Sequence, residues 1–164
     1  MNRKYSAEEY YEVCKRLRKY FDNPALTTDV IVGFAGETEE EFAECKAFLE
    51  KIAFFETHVF KFSIRKGTRA AKMENQVPDQ IKTKRSNELL TLHEVNSTKY
   101  LQDHLGKDLE VLMEEKMSIG EETYFVGHTK EYIRVAVKTE EDLTNQFVTV
   151  KAKEILKDQI LLGE

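Results

Sequence analysis

The chain has 164 residues, with 25 Lys and Arg against 30 Asp and Glu, a formal charge of -5, and an apolar fraction of 41%. That length allows one domain with a sizeable core, or a partial domain plus a small one. No run approaches the roughly 18 consecutive apolar residues of a membrane span. The polar start, Met1 to Tyr5, has no apolar stretch behind it, so the expectation is a cytoplasmic protein with no membrane partner.

Ser6 to Phe21 reads as a helix. Ser6 and Glu9 have capping-box spacing, and Tyr10, Val13, Cys14, Leu17 and Phe21 form an apolar stripe at helical period. Asn23-Pro24 ends it. Leu26 to Gly33 is a nearly continuous apolar run, which predicts a strand buried on both faces of a parallel sheet. Thr38 to Ala53 is a second helix, with Thr38 and Glu41 as its capping box and Phe42, Cys45, Leu49 and Ile52 as its stripe. Phe55 to Phe62 is the next strand. This α-β-α-β order, with short connections, calls for parallel strands joined by helices. A basic loop, Ser63 to Gln76, leads to Pro78 at a first helical position. A long helix follows to about Leu105, with Gly106 as its C′ residue.

The pattern then changes. Leu109 to Glu114, Tyr124 to Thr129, Tyr132 to Val137, Gln146 to Lys153 and Gln159 to Leu162 read as five short strands, with Thr129-Lys130-Glu131 as a hairpin loop. They predict a small antiparallel barrel or sandwich. The boundary is expected near Gly106, giving units 1–105 and 106–164. A two-strand α/β piece leaves strand edges bare. That points to a homo-oligomer through the exposed sheet edge, or to a fragment of something larger.

Cys14 and Cys45 have no second Cys at metal-ligand spacing and sit on helix stripes, so two buried core thiols are expected, with no metal and no disulfide. The strand ending at Gly33 runs through Gly36 into a helix opened by Glu37, Glu39, Glu40 and Glu41. Glycines before a helix N-terminus often cradle an anion, but these acids already crowd that end. Residues 61–85 hold eight basic side chains (Lys61, Arg65, Lys66, Arg69, Lys72, Lys82, Lys84, Arg85) against Glu74 and Asp79. This excess suits an anionic partner or a solvated loop face. Tyr124, Phe125, His128, Lys130, Tyr132 and Arg134 interleave aromatics with cations, as in barrels that hold unpaired nucleic acid; core packing is the other reading. From Lys107 onward there are 8 basic and 13 acidic residues, so any RNA contact must be a local patch. No catalytic constellation stands out. His58, His93, His104 and His128 are scattered.

The segments "MNRKYSAEEY", "TTDVIVGFAGETEEEF", "HVFKFSIRKGTRAAKM" and "YFVGHTKEYIRVAV", in order, resemble the radical-SAM methylthiotransferases, and within them the branch acting on threonylcarbamoyladenosine at position 37 of tRNA. The resemblance implies the C-terminal part of that family: the end of a radical-SAM partial (βα) barrel, then a TRAM domain, an OB-like five-stranded antiparallel RNA-binding β-barrel. It implies an S-adenosylmethionine pocket, present only in part, involving Arg3, Asp29, Ile31, Gly33, Gly36, Glu37, Phe62, Ser63 and Arg65. It also implies RNA contacts from Arg65, Lys66, Arg69, Tyr124, Phe125, His128, Lys130, Tyr132 and Arg134, with the tRNA anticodon stem-loop as partner.

The sequence departs from the family at Ala35 and Arg69, where proline is usual or frequent, and at Asn145-Gln146, where Gly-Lys is common. The family's two 4Fe–4S clusters need a CxxxCxxC motif and three further cysteines. None of these occurs in the 164 residues, so this chain is expected to bind neither cluster and to be inert by itself. The alternatives are a non-catalytic RNA-binding module and a fragment of the related enzyme that methylthiolates a ribosomal-protein aspartate.

Overall fold

The computed structural model describes residues 4–164. The chain forms two compact units, Met1–Asn96 and Ser97–Glu164.

The first unit is built from α1 (Ala7–Tyr20), β1 (Thr27–Val32), α2 (Glu39–Ile52), β2 (Glu56–Lys61) and the first turns of α3 (Asp79–Gln102). Both capping boxes form as expected. Ser6 Oγ accepts from Glu9 N–H at 3.2 Å while Glu9 accepts from Ser6 N–H at 2.8 Å. Thr38 and Glu41 do the same at 3.2 and 2.9 Å. β1 and β2 pair in parallel, Asp29 opposite His58 and Ile31 opposite Phe60. Val32, Leu26, Phe42, Leu49, Ile52, Phe54, Cys14 and Leu89 form the core between the strands and the helices.

Two expectations change here. β1 is covered on one face only: Thr27, Asp29 and Ile31 are exposed while Val32 is buried. Its continuous apolar run conceals the alternation, because a two-stranded sheet has helices to cover just one side. The apolar stripe of α1 is likewise only partly used. Cys14 is buried, but Val13, Leu17 and Phe21 are 49%, 37% and 60% exposed. The thiol expectation holds for Cys14, whereas Cys45 is half-buried; both are free.

The second unit holds the last turns of α3 and five strands: β3 (Asp108–Ile119), β4 (Glu122–His128), β5 (Arg134–Val137), β6 (Phe147–Ile155) and β7 (Leu161–Gly163). They close a ring in the order β3-β4-β5-β7-β6. The five strands were expected to be all antiparallel. The ring is mixed, with β5 and β7 parallel. A closed ring with an odd number of strands cannot alternate direction throughout, so one parallel pair is forced. β3 runs past its expected end at Glu114 to Ile119, through an irregularity between Met113 and Glu115. The bulge and the acid pair Glu114-Glu115 hide this half of the strand from a two-residue period. Asn145 has φ +59, a left-handed conformation that Gly and Asn both tolerate. Asn can therefore hold the conformation for which glycine was expected there.

Gly127 shows how tightly the ring closes. A Cβ built on it would lie 2.0 Å from the Leu112 carbonyl oxygen, and backbone cannot give way cheaply. Gly127→Ala should destabilise the barrel by about 2 kcal/mol, within the usual overpacking range, on the order of 10 °C in Tm for a unit this small. Thermal melts of the variant and the parent chain check this; an unchanged Tm contradicts the packing described.

Candidate functional site

The strand-to-helix turn after β1 is locked from below by α3. Gly33 and Gly36 have φ of +72 and +83, which side-chain-bearing residues seldom adopt. The Gly33 N–H donates to Glu37 Oε2 at 2.7 Å. The same carboxylate oxygen receives Arg85 NH1 at 2.5 Å, and Arg85 NH2 reaches Glu39 Oε1 at 2.7 Å. Arg85 also donates to the Glu37 carbonyl at 3.2 Å. Its guanidinium lies 5.3 Å from the Phe42 ring centroid. Burial opposes the charge on Arg85, but its hydrogen bonds to Glu39 and Glu37 outweigh that and hold its pKa above the ordinary value. Lys82 packs beneath Gly33 so closely that a Cβ there would lie 2.3 Å from Lys82 Cγ.

Three of the four acids that crowd this turn are therefore explained. Glu37 closes the turn, Glu39 binds Arg85 and Glu41 caps α2. The basic excess of residues 61–85 shrinks as well. Lys82 and Arg85 are 5% and 3% exposed and face inward, so neither presents charge to a partner.

Above the turn, the uncovered face of the two-stranded sheet carries Asp29, Ile31, His58 and Phe60, the last 53% exposed. Two grooves border it. One, of about 540 Å³, runs along β1 and is lined by Asp29, Ile31 and Glu37 together with Tyr5, Tyr10 and Phe48. The other, of about 570 Å³, follows β2 and is lined by Ile31, Phe60, Phe62, Ser63, Arg65 and Thr68. Phe62 is steadied by an edge-on contact with Phe34, ring centroids 5.0 Å apart. Of the expected pocket residues, Ile31 thus touches both grooves, and Phe62, Ser63 and Arg65 share one. Gly33 and Gly36 line neither, and Arg3 lies outside the described residues. Tyr5, Tyr10 and Phe48 were not among the expected pocket residues. Helical spacing places Tyr10 on the inward side of α1, but only the fold puts its hydroxyl 3.1 Å from Thr28 Oγ1.

In the barrel, the six expected RNA residues divide. Phe125 is 1% exposed and Tyr124 8%, with the Tyr124 hydroxyl donating to Glu122 at 2.7 Å. These two rings are core, which satisfies the packing reading. Lys130 and Tyr132 stand on the exposed loop after β4, and Tyr132 is 79% exposed. The His128 ring packs at a tilt against Tyr132, centroids 5.7 Å apart, while its Nδ1 meets Glu114 at 2.7 Å. Arg134 reaches Met117 Sδ at 3.3 Å. The loop is well built: the buried Thr129 hydroxyl accepts from the N–H groups of Glu131 and Ile133. Tyr132 itself is held at φ +64, a strained conformation for an aromatic residue. On the basic loop, Arg65, Lys66 and Arg69 are all exposed.

Arg85→Met should cost the first unit about 3 kcal/mol, because removing one partner of a buried pair leaves the carboxylate of Glu37 uncompensated. Glu39→Gln should cost well under 1 kcal/mol, since that side chain is 68% exposed. Urea unfolding of the two variants checks the contrast; equal losses contradict it.

No family model matches the chain. It is 41% identical over 152 residues to the threonylcarbamoyladenosine tRNA methylthiotransferase of Bacillus subtilis, covering 92% of this chain and 34% of that relative. It is 38% identical over 154 residues to the tRNA-2-methylthio-N(6)-dimethylallyladenosine synthase of Lachnoclostridium phytofermentans, 94% of this chain and 34% of the relative. The synthase of the same name from Clostridium botulinum (strain Langeland) is 40% identical over 151 residues, 92% of this chain and 33% of the relative. The chain spans about a third of the length of these relatives. Nearly all of this chain is therefore homologous to a part of the tRNA methylthiotransferases.

Proposed function

We propose that the chain acts as the C-terminal part of a cytoplasmic tRNA methylthiotransferase that modifies threonylcarbamoyladenosine at position 37, in the anticodon stem-loop. It contributes one wall of the S-adenosylmethionine pocket and an RNA-contacting TRAM barrel. What carries the reading is the uncovered sheet face, continuous with Phe62 to Arg65, in a chain whose relatives act on tRNA. A wall of a partial barrel must be bare on its inner side, and this one is.

The residues present suit part of the cofactor. Ile31, Phe60 and Phe62 offer an apolar surface that fits a purine, and Arg65 at the rim of the same groove fits a carboxylate. Asp29 on the neighbouring strand fits a hydroxyl or a cation. Glu37 lines the groove along β1 with one carboxylate oxygen, Oε2, engaged by Gly33 and Arg85. When bound, S-adenosylmethionine supplies the methyl group and the carbon radical of methylthiolation. These residues hold and orient it.

The iron–sulfur clusters do not fit this chain. Cys14 and Cys45 sit in or beside an apolar core, where burial raises both thiol pKa values and disfavours the thiolate a cluster needs. Among the described residues, no group of three or more His, Cys, Asp or Glu could hold a metal ion. The part this chain plays in the proposed reaction is to bind and orient S-adenosylmethionine and RNA.

The ring order supports the OB-like TRAM reading: numbered within the barrel it runs first, second, third, fifth, fourth, with the third and fifth parallel. Tyr132 and Lys130 form the RNA-facing tip. Among the described residues no helix is long and apolar enough to cross a membrane.

Tyr132→Gly separates folding from binding. It relieves a left-handed aromatic residue, so the Tm should hold or rise. It also removes a stacking face worth about 1–3 kcal/mol, so tRNA affinity should fall roughly five- to a hundredfold by fluorescence anisotropy. Unchanged affinity in Tyr132→Gly and in Lys130→Ala removes this loop from the RNA interface.

A further inference from the structure

We infer that the outer side of α1 is a second RNA-contacting surface, a groove that takes the phosphate backbone of the tRNA. This rests on the tRNA reading above but uses residues outside both the pocket and the barrel. The groove is about 710 Å³ and is lined by five cations, Lys15, Arg16, Arg18, Lys19 and Lys51, with a single carboxylate, Glu12. The whole chain carries a net charge of -5, so this is a concentrated reversal of its overall sign.

Helix polarity explains only part of the cluster. Arg18 and Lys19 lie in the last turn of α1 and Lys51 in the last turn of α2, where cations balance the helix dipole. Lys15 and Arg16 lie before that turn. Internal pairing also falls short of the charge. Glu12 pairs with Lys15 at 2.8 Å. Arg18 spends one nitrogen on the Ala53 carbonyl at 3.0 Å. Arg16 and Lys19 have no ion pair among the described residues.

Two ammonium groups crowd one ring: Lys51 Nζ is 3.9 Å and Lys15 Nζ 5.4 Å from the Tyr11 centroid. Each gains from the ring's π face, and Tyr11 thereby holds two cations at the groove. Lys19 sits similarly, 5.8 Å from the Tyr20 ring. Cations one helical turn apart, such as Lys15 and Lys19, are separated by roughly 6 Å along the axis. That spacing lets a run of phosphates be followed along the helix. The site is concave. A groove receives a rod-like polyanion, and the chain's relatives act on tRNA; the exposed Val13, Leu17 and Phe21 beside the cations are why lipid vesicles are included in the test.

The test is tRNA binding by the full chain at several salt concentrations, followed by fluorescence anisotropy. Lys15→Gln, Arg16→Gln and Lys19→Gln combined should weaken binding at least tenfold at low salt. The slope of log K against log salt should fall by about two to three, for three lost phosphate contacts. Replacing Lys15 and Lys19 by Arg should keep affinity and slope. Circular dichroism checks that α1 stays folded, and a triple variant that unfolds is replaced by Arg16→Glu alone, which should still weaken binding severalfold. Wild-type affinity and slope in a folded triple-Gln or Arg16→Glu chain overturn the groove while Tyr132→Gly still tests the barrel reading. Failure of the unsubstituted chain to bind tRNA overturns both. Binding to phosphatidylserine vesicles in place of tRNA, lost in the triple-Gln chain, overturns the proposal in favour of a membrane surface.

Discussion

The first unit hangs on one buried guanidinium. Arg85 holds the carboxylates of Glu37 and Glu39 and the Glu37 carbonyl, and Glu37 in turn holds the Gly33 N–H. One side chain from α3 thereby fixes the end of β1, the glycine turn and the start of α2. Its Nε is buried without a hydrogen-bond partner, so the clamp is held at some expense and is not an optimised core. The stability of such a pair comes mainly from what its breakage would leave behind, an unpaired buried charge. The turn is consequently rigid without relying on proline at position 35, where Ala35 is buried.

With that turn held, the sheet has no means of covering its second face. Two parallel strands and three helices make one layer of packing, and the face bearing Asp29, Ile31 and Phe60 stays open. The second unit solves the same problem differently. It curls five strands into a ring, leaves no free edge, and exposes two aromatics, Tyr132 on the loop after β4 and Phe147 at the start of β6. One unit thus offers a wall and the other a closed scaffold with a strained, well-braced loop tip.

Much of this was legible in the sequence. The two capping boxes, the glycine turn, β2 and the five strands follow from local spacing, because each depends on neighbours a few residues away. The inward role of Lys82 and Arg85 was not legible. The buried stripe of α3 runs Lys82, Arg85, Ser86, Leu89, Ser97 and Leu101, and its charged and polar members erase the apolar period that marks a core face. Counting charge along the chain put Lys82 and Arg85 on the wrong side of the helix. The parallel β5–β7 pair was missed because strand direction is set by ring closure, which leaves no trace in any single strand. Tyr124 and Phe125 are adjacent on β4 and face opposite ways, yet both are buried, so strand period alone could not separate them from Tyr132 on the following loop. The family resemblance supplied the pocket residues as a set; in the fold Asp29, Ile31 and Glu37 line one groove and Ile31, Phe62, Ser63 and Arg65 the other, and one oxygen of Glu37 is engaged by Gly33 and Arg85.

The claim on which the account turns is that the open face of β1 and β2 is a ligand wall. Methyl-resolved NMR of the 164-residue chain, titrated with S-adenosylmethionine, tests it most directly. The account predicts a shift of the Ile31 methyl resonance. Val32 and Ile52 on the covered side, and Ile133 and Ile160 in the barrel, should stay in place. A titration to millimolar ligand that leaves Ile31 unmoved, or that moves only the barrel methyls, contradicts it.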